Sequence, residues 1–481
     1  AELATLVRQL LQQVPLHETR VSAAFFRACV EAALAFYDQS GGRGGFQLAD
    51  ALVKLVVFVA RLGGRDGQAQ LHTVRMFLSS VALVVVHTHA TRPEAFGAYQ
   101  RPFLRLLSGV LGEAHAAFRA EEAWCDEATM RAVAGLLGET LRVLEPALVP
   151  GFAFVWLMLA SHRFLLPRLA ESRAGWALGA ELLERQLRFI EPFVDAGQVG
   201  EPVKLLYRGV VCVILVVLHD YPEFLASYAL RLSDAVPANC VQLRNLLLSA
   251  YPRDMRLPEP LTPNLKIDLL ADIARSPDIP YDYAAPLEHV GLRPALEAVL
   301  AQQRPPSEVA ASVMPALRDA DARYDVAAVN AFVLHAVVLI AQTSDDGARE
   351  AAQRVALELF RAVLAGADAE GRYLVVNAVA NQLRFPSAHT YLGSRMVLAL
   401  FSKSVEAVRE CIARVLVERI LVNRPFPWGL LVTLIELLRN PFYAFWSHDF
   451  TRASPQIADI LAAVAKSIHP ADAASAAASA Q

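Results

Sequence analysis

The sequence of 481 residues has few charges and no excess of either sign. Only 19% of the residues are charged, and 45 basic residues balance 48 acidic ones to a formal net charge of −3. A dedicated nucleic-acid-binding protein normally needs a basic surface that neutralises phosphates, so this balance argues against that class and leaves only a local basic patch open. Hydrophobic residues make up 55% of the chain, which excludes overall disorder and allows a large buried core.

Cysteine is scarce and glycine is sparse for a chain of this length. The five cysteines are an odd number, widely spaced and mostly set in apolar runs, so we expect reduced thiols that fill core space in an intracellular protein. The chain starts at Ala1 without an initiator methionine, and we therefore expect it to be a piece of a longer protein.

Long apolar runs are also missing. The two best candidates are residues 147–160, which contain Pro150 and Gly151, and residues 210–218. Both are shorter than the roughly 18–20 apolar residues that a membrane-spanning helix needs. We interpret each as a helix that is buried on most sides, and we expect no membrane partner.

Sequence signatures of enzymes are absent. The chain has no HExxH, CxxC or GxSxG motif, and the glycine-rich residues 40–45 (SGGRGG) lack the Lys-Ser/Thr pair of a phosphate-binding loop. His87 and His89 would point about 200° apart on a helix and could not easily share a metal. We expect a plain turn at residues 40–45, with one packed and one solvent-facing histidine.

Two His-Asp pairs could each be half of a catalytic relay. His219-Asp220 and His448-Asp449 are adjacent in sequence, and adjacent residues do not readily form the base–orienter geometry that catalysis requires. Both pairs also lie at predicted helix ends, where His and Asp have structural uses. The sequence therefore predicts no enzyme, no catalytic residue, no metal site and no cofactor.

Apolar residues recur at helical spacing along most of the chain. In residues 404–422 they form one stripe made of Val405, Val408, Ile412, Val415 and Ile420. Proline marks many helix starts, and Ser454 is a natural N-cap for a helix at about residues 455–467. Roughly 20 helices joined by short turns predict an all-α, HEAT-like helical-repeat solenoid of stacked antiparallel helix pairs.

Residues 251–286 interrupt this pattern with seven prolines. Proline fixes φ and lacks the N–H donor, so residues 251–266 cannot be helical, and the restricted loop can be ordered at low entropic cost. We predict an N-terminal helical-repeat half at 1–250, an ordered proline-rich strap at 251–286 and a C-terminal helical-repeat half at 287–468. Residues 469–481 are predicted to be a low-complexity tail.

Two stretches are candidate partner-binding surfaces. The strap combines apolar residues that can pin it with charged residues at its edge, and a purely connecting strap and a partner-binding strap remain equal alternatives. The aromatic stretch at residues 423–449 is expected to be a terminal core, or else to leave one or two rings exposed as anchors for a partner. The candidate residues are Tyr251, Arg253, Asp254, Met255, Arg256, Arg424, Phe426, Trp428, Phe442, Phe445 and Trp446.

Four long strings resemble one protein family. They are residues 205–228 (LLYRGVVCVILVVLHDYPEFLASY), 237–270, 373–390 (YLVVNAVANQLRFPSAHT) and 415–450. They are similar to the carboxyl-terminal domain of the Not scaffold, the largest subunit of the eukaryotic CCR4–NOT mRNA deadenylase complex. The similarity is dense over residues 203–270 and 373–466 and looser elsewhere.

This resemblance implies a non-catalytic, HEAT-like scaffold domain that docks the two smaller Not-box subunits, whose extended segments wrap its surface. In some lineages it implies two further partners, the ubiquitin-ligase Not subunit and short linear motifs of RNA-bound repressors such as Nanos. It also implies a role in mRNA deadenylation, decay and translational repression. We expect the protein in the cytoplasm, where such complexes act, with room for a nuclear pool.

The alternative function is a helical-repeat RNA-binding or transport adaptor. That function would need a continuous stripe of Lys and Arg, whereas the sequence offers scattered pairs such as Arg253/Arg256 and Arg419/Arg424. The near-neutral charge therefore favours the scaffold, with little direct nucleic-acid binding.

Overall fold

The computed structural model describes residues 2–41, 45–63, 67–195, 197, 199–262 and 265–468. These residues form α-helices and short 3-10 helices, with one isolated β-bridge between Arg318 and Tyr324 and no β-strand. The predicted all-α class is confirmed, and the described residues contain 22 α-helices where roughly 20 were expected. The predicted tail at 469–481 and the centre of the predicted turn at 40–45 lie outside the described residues.

The chain divides into two compact units, residues 1–216 and 217–481. The first unit contains α1 Glu2–Gln13, α2 Thr19–Gln39, α3 Gln47–Gly63, α4 Gly67–Thr91, α5 Phe96–Arg119, α6 Glu127–Val143, α7 Ala153–Ala160, α8 Leu166–Ala170 and α9 Arg173–Asp195, with a 3-10 turn at Pro150–Phe152. The boundary between the units lies inside α10, which spans Glu201–Asp220.

The second unit contains twelve further α-helices. They are α11 Pro222–Asp234, α12 Val241–Leu248, α13 Ala285–His289, α14 Arg293–Leu300, α15 Pro306–Ala316, α16 Val326–Gln342, α17 Asp346–Gly366, α18 Ala369–Ala380, α19 Ala388–Lys403, α20 Glu406–Ile420, α21 Trp428–Arg439 and α22 Pro455–Ile468. Short 3-10 helices lie at Ile267–Leu269, Ala271–Ala274, Pro441–Tyr443, Phe445–Ser447 and Asp449–Arg452.

Within each unit, helices stack on their next-but-one neighbours as well as on the next helix. In the first unit α2 packs on α4, α3 on α5 and α4 on α6. In the second unit α16 packs on α18, α18 on α20 and α19 on α21. This pattern gives two layers of helices and confirms the predicted solenoid of stacked helix pairs.

Side-chain caps define several helix starts. The carboxylates of Asp126, Asp325, Asp345 and Asp368 each accept a hydrogen bond from a backbone N–H in the first turn of α6, α16, α17 and α18. The predicted N-cap at Ser454 is confirmed, because its Oγ accepts from the backbone N–H of Ile457 at 3.2 Å.

The apolar stripe predicted over residues 404–422 is correct in its centre. Val408, Ile412 and Val415 are buried on α20, whereas Val405 is 61% exposed. Val405 is the N-cap of this helix and lies before its first turn, so it does not share the buried face. Helical periodicity therefore identified the helix but placed its first residue too early.

The two units differ from the halves predicted on either side of the strap. Helices α11 and α12, which the prediction placed in the N-terminal half, pack on α16 and α20 of the second unit. Asp234 on α11 accepts a hydrogen bond from the Asn330 side chain at 2.7 Å, and Asn245 on α12 donates to the Arg419 carbonyl at 2.6 Å. The strap thus lies within the second unit and connects two parts of it.

Three buried arginines, which we call the arginine network, hold these parts together: Arg244, Arg384 and Arg419. The Arg384 guanidinium donates to the Ala226 carbonyl at 2.7 Å and to the Ala250 carbonyl at 3.4 Å. The backbone carbonyl of Arg384 accepts from the Gly429 N–H at 2.6 Å. Arg384 therefore joins α11, the residue before the strap, and the start of α21.

The other two arginines close neighbouring turns. The Arg244 guanidinium donates to the carbonyls of Val236 at 3.0 Å and Pro237 at 3.4 Å, between α11 and α12. The Arg419 guanidinium donates to the side-chain oxygens of Asn377 on α18 and of Asn381, which directly follows that helix. Burial lowers the pKa of Arg384 to about 10 and that of Arg419 to about 9, which leaves both charged at neutral pH.

The strap is ordered and follows the surface of the second unit. Its described residues before α13 contain two 3-10 helices and no α-helix, which confirms the prediction for those of residues 251–266 that are described. Met255 is buried, and the indole N–H of Trp428 donates to the Pro258 carbonyl at 2.8 Å. Further along, the Arg275 carbonyl accepts from the Ala388 N–H at 3.0 Å.

The far end of the strap is anchored by side chains on α11. The Ser227 hydroxyl donates to the Asp278 carboxylate at 3.0 Å, and the rings of Tyr228 and Tyr281 stack with centroids 5.5 Å apart. Burial raises the pKa of the Tyr281 phenol, which therefore stays neutral at physiological pH. These contacts are spread over the described residues of the strap and explain how a segment without an α-helix keeps one course.

All five cysteines are free. Cys125, Cys240 and Cys411 are buried, as predicted for core fillers, and burial raises the pKa of Cys125 and Cys411 to about 11. Cys29 is half-buried, and Cys212 is exposed on α10. The core-filling prediction is therefore wrong for Cys212, because it lies on the outer face of α10, whereas its apolar neighbours Val213 and Ile214 lie on the buried face.

Two described helices are long and apolar enough to cross a membrane by length and composition, α4 and α10. Half of the most apolar window of α4 and 28% of that of α10 is buried. The prediction named residues 210–218 of α10 but judged that run too short, and it did not consider α4, because it counted uninterrupted apolar runs. The expectation that the helix at residues 210–218 is buried on most sides is wrong, since only 28% of the apolar window of α10 is buried. One or two such helices are weak evidence, since a core helix of a soluble protein passes the same test.

The buried imidazole of His389 makes the stability of the second unit sensitive to acid. Burial, with a smaller contribution from the charge of Arg384, lowers the pKa of His389 from 6.5 to about 3. Between these values the unfolded chain binds a proton that the folded chain does not, so stability falls as the pH drops from 6.5 towards 3. One such proton changes the unfolding free energy by about 1.4 kcal/mol per pH unit.

We expect His389→Gln to remove this component of the pH dependence. Urea unfolding at pH 7 and pH 5 measures it, with His87→Gln on an exposed histidine as the matched control. A His389→Gln variant whose stability falls between the two pH values as steeply as that of the parent protein would contradict the prediction.

Trp428 is 4% exposed and joins the core to the strap through Pro258. We expect Trp428→Ala to destabilise the protein by about 3–5 kcal/mol, since it empties a large buried volume. Trp428→Phe keeps most of the volume and loses the indole N–H, and we expect it to cost about 1 kcal/mol. Thermal and urea unfolding check both values, and a Trp428→Ala variant of unchanged stability would contradict the packing.

Candidate partner-docking surface

The charged edge of the strap is smaller than the sequence predicted. The Arg253 guanidinium donates to the carbonyls of His219 and Asp220, so it caps the C-terminus of α10. The Asp254 carboxylate pairs with Arg275 at 3.2 Å. Arg256 is exposed and has no hydrogen bond or ion pair with any residue that the structure describes. Of these three charged side chains, Arg256 is therefore the one that could bind a partner without first breaking a contact within the protein.

The apolar residues of the strap also separate into two groups. Met255 is 5% exposed and pins the strap, and its N–H donates to the Pro252 carbonyl in a turn at 3.1 Å. Tyr251 is 36% exposed and lies at the surface where the strap begins. Among the candidate residues of the strap, Tyr251 and Arg256 are therefore the two that a partner could contact without breaking a hydrogen bond or ion pair among the described residues.

The aromatic stretch combines both of its predicted roles. Phe445 is buried and stacks on Phe401 of α19 with centroids 5.9 Å apart, which is the expected terminal core. Phe442 is 74% exposed and Trp446 is 40% exposed. The Trp446 indole N–H donates to the Leu438 carbonyl at 3.2 Å, so this ring is fixed in place while one face stays open.

The remaining candidates lie in the turn before α21. Arg424 is exposed and Phe426 is half-buried, whereas Trp428 belongs to the core. Through Pro258 the structure brings Trp428 to the strap. Phe442, Phe445 and Trp446 instead follow the other end of α21, so the predicted residues do not form one continuous surface.

An open groove lies between the strap and two helices of the second unit, and its volume is about 620 Å³. One wall is the strap, and the other walls are α19 and α21. Its lining residues include Pro260, Leu265, Lys266, Ile267, Asp268, Tyr391, Leu398, Val432, Ile435, Glu436 and Arg439. Apolar side chains form most of its floor, and charges of both signs lie at its rim.

Reasoning from the sequence missed this groove. Its residues come from three segments that are far apart in the chain, and each segment looks like an ordinary amphipathic helix or loop. The only available signal was the strap itself, because a rigid non-helical segment beside helices leaves a channel that helix packing would otherwise close.

The two His-Asp pairs differ in what their histidines contact. His219 Nδ1 and Asp220 Oδ1 are 2.7 Å apart, a contact that the sequence argument did not expect adjacent residues to form readily. Their side chains are 89% and 50% exposed at the end of α10, which makes the pair a surface contact and not the buried base of a relay. His448 instead contacts Glu406, at 3.1 Å.

Metal ligands are also not clustered, since the described residues contain no group of three or more His, Cys, Asp or Glu side chains placed to hold an ion. His87 is exposed and His89 is half-buried. His89 Nε2 accepts a hydrogen bond from the Gly151 N–H at 3.4 Å, as expected for one packed and one solvent-facing residue.

Comparisons with known proteins agree with the helical scaffold. The family model described as "Not1: CCR4-Not complex component, Not1" matches residues 119–465. The Caenorhabditis elegans protein named CCR4-NOT transcription complex subunit let-711 is 33% identical over 449 residues, which are 88% of this chain and 16% of that protein. General negative regulator of transcription subunit 1 of Schizosaccharomyces pombe is 33% identical over 471 residues, which are 94% of this chain and 22% of that protein.

Two solved structures share the fold. The NOT1 superfamily homology domain from Chaetomium thermophilum superimposes with a TM-score of 0.86 at 27% identity and covers 96% of this chain and 93% of that chain. A Not1 C-terminal domain in complex with Not4 superimposes with a TM-score of 0.77 at 23% identity, with 91% of each chain covered. This chain spans about a fifth of the length of the curated relatives it matches. Because the family model matches well over half of the 481 residues, the chain belongs to the Not1 family of CCR4-Not complex components.

Proposed function

We propose that this chain is a non-catalytic scaffold domain of a CCR4-Not complex and that it docks the smaller Not-box subunits of the same complex. In this way it supports mRNA deadenylation, mRNA decay and translational repression. The observation that carries the proposal is the ordered strap with its adjoining groove, in a chain of the Not1 family.

The groove suits an extended chain of a partner subunit. The backbone of the strap is extended at Lys266, Leu270 and Arg275, and only short 3-10 helices lie between these points, so it runs beside the groove without an α-helix. Half-buried Ile267 and Leu398 offer apolar contacts, while charges of both signs at the rim can set the register of a partner. An extended segment buries apolar side chains at alternate positions and leaves the others for the rim.

Other partners extend the same proposal. The solved Not1 C-terminal domain in complex with Not4 has the fold of this chain, which supports the ubiquitin-ligase Not subunit as a partner. Short linear motifs of RNA-bound repressors such as Nanos are a further partner class. We place the protein in the cytoplasm, with a nuclear pool, and assign it no membrane partner.

Direct nucleic-acid binding has a minor role in this proposal. The sequence pair Arg253/Arg256 does not make a basic stripe, since Arg253 is bound to the carbonyls at the end of α10. The pair Arg419/Arg424 is also separated, because Arg419 is buried in the arginine network and Arg424 is exposed.

The charged edge is tested by Arg256→Glu. We expect this variant to fold normally and to bind the smaller Not-box subunits about two- to ten-fold more weakly, with the largest difference at low salt. The matched control is Arg361→Glu, which reverses the charge of another exposed arginine. Arg361 lies on α17 and has no hydrogen bond or ion pair among the described residues. Affinity is measured by titration of the purified subunits, and equal binding by Arg256→Glu and Arg361→Glu would remove the charged edge from the docking surface.

The groove is tested by Ile267→Glu. This residue lines the groove, so we expect the buried charge to weaken capture of the smaller Not-box subunits by about ten-fold or more. Leu269→Glu is the control, because Leu269 lies two residues away, is 72% exposed and does not line the groove. Circular dichroism and thermal unfolding confirm that both variants are folded, and a normal affinity for Ile267→Glu would refute the groove as the docking site.

A further inference from the structure

A second cleft of the second unit lies between α16, α17 and α19. It uses the face of α19 next to the one that lines the strap groove, and Arg395 lines both. Its volume is about 310 Å³, which is at the small end of the range for ligand sites and fits one or two side chains. The floor is apolar and includes Val333, Val337, Ile340, Leu357, Phe360 and Met396. A partner side chain that enters this cleft must therefore be aliphatic or aromatic.

The rim of the cleft is positively charged. Arg354 on α17 and Arg395 and Lys403 on α19 line it, against the single carboxylate of Glu350. Arg395 and Lys403 are eight positions apart on one helix, so their backbones are separated by about 12 Å along its axis. The cations thus flank the apolar floor at several points.

These cations are not neutralised by the protein itself. Arg354 and Lys403 are exposed and have no hydrogen bond or ion pair within the described parts of the chain. The Arg395 guanidinium donates to the Tyr391 hydroxyl at 3.0 Å and lies over that ring, but it has no recorded carboxylate partner.

Two other arginines of these helices or of the adjoining α20 are paired with carboxylates of the protein itself. Arg349 at the start of α17 pairs with Asp346 at 3.1 Å, and Arg414 on α20 pairs with Glu410 at 3.0 Å. Other unpaired arginines, such as Arg361, do not line the cleft, but Arg354, Arg395 and Lys403 bring three cations without a carboxylate partner to one apolar floor. Unpaired arginines beside a hydrophobic floor are well suited to charge-assisted hydrogen bonds with incoming carboxylates.

We infer that this cleft binds a short acidic segment of a partner protein that inserts one aromatic or aliphatic side chain between flanking Asp or Glu residues. The inserted side chain contacts the floor formed by α16 and α17. The flanking carboxylates pair with Arg354, Arg395 and Lys403. This inference rests on the proposed scaffold function, and it adds a second docking site with its own ligand chemistry.

The probe is a library of random short peptides displayed on phage and selected against the whole chain. We expect the enriched peptides to combine an aromatic or aliphatic residue with two or more Asp or Glu residues. Enrichment of basic peptides, or of apolar peptides without carboxylates, would overturn the inference. The best enriched peptide is then synthesised with a fluorophore for anisotropy titrations.

The titrations use variants that separate the cleft from the rest of the surface. Arg354→Glu and Lys403→Glu should each weaken binding of the enriched peptide by about ten-fold, because each change replaces an attraction with a repulsion. Arg361→Glu, on the same helix as Arg354 but not lining the cleft, should bind the peptide normally. Equal weakening by Arg354→Glu and Arg361→Glu would indicate only a general effect of charge and would overturn the inference.

The apolar floor is tested by filling the cleft. Ala399→Trp places a large ring at a lining position, and we expect it to abolish peptide binding. Ala362→Trp, at an exposed position of α17 that does not line the cleft, is the matched control. A peptide that binds the Ala399→Trp protein with normal affinity must bind elsewhere and would refute the site.

The same variants keep this inference separate from the proposed function. Capture of the smaller Not-box subunits is measured with Ala399→Trp and Ile267→Glu in parallel. Loss of subunit capture in Ile267→Glu with normal peptide binding would show two independent sites. If the subunits bind every variant normally and the enriched peptide still needs the cleft, the strap proposal fails and the cleft remains.

Discussion

The second unit depends on arginine side chains that are buried without a carboxylate partner. A buried guanidinium is costly unless its N–H groups are satisfied. Here backbone carbonyls and asparagine oxygens accept from Nη2 of Arg384 and of Arg419, while Arg384 Nε and Arg419 Nη1 have no hydrogen-bond partner among the described residues. Arg384 donates to Ala226 and Ala250, and its own carbonyl accepts from Gly429. Because carbonyl positions are fixed by the backbone, this arrangement fixes where helices and loops meet rather than how two side chains pair.

The position of the strap follows from this constraint. Arg384 holds Ala250, the residue before the strap, and the start of α21, whose first residue Trp428 holds Pro258. A segment that cannot form helical hydrogen bonds is thus held by groups that the neighbouring helices supply. The groove exists because the strap is kept beside α19 and α21 without filling the space between them.

The surface that results is suited to holding other chains. It offers an open channel with an apolar floor, an unpaired cation at Arg256, and exposed aromatic rings at Phe442 and Trp446. The cleft between α16, α17 and α19 also has an apolar floor, but its rim is mainly positive, whereas the rim of the groove carries charges of both signs. Such features can give specificity to the extended segments that we propose as partners of this chain of the Not1 family.

Local patterns in the sequence determined the class of the fold. Apolar spacing predicted α20, a hydroxyl before a proline predicted the cap at Ser454, and the prolines predicted that the strap is not helical. Each of these features depends on residues within one or two turns of each other, which is why the sequence alone was sufficient. Long family-like strings were enough to indicate the Not1 family before any contact was known.

Contacts between distant segments decided the rest. The sequence could not show that the Arg253 guanidinium binds the carbonyls at the end of α10 while Arg256 has no partner among the described residues. Both are arginines of the same proline-rich loop, and their contacts depend on distant segments. It also could not divide the aromatic stretch into buried Phe445 and exposed Phe442, since that depends on where α19 passes. Amphipathic periodicity fixes which face of a helix is buried, but only the tertiary structure determines which neighbours bury it and which grooves stay open.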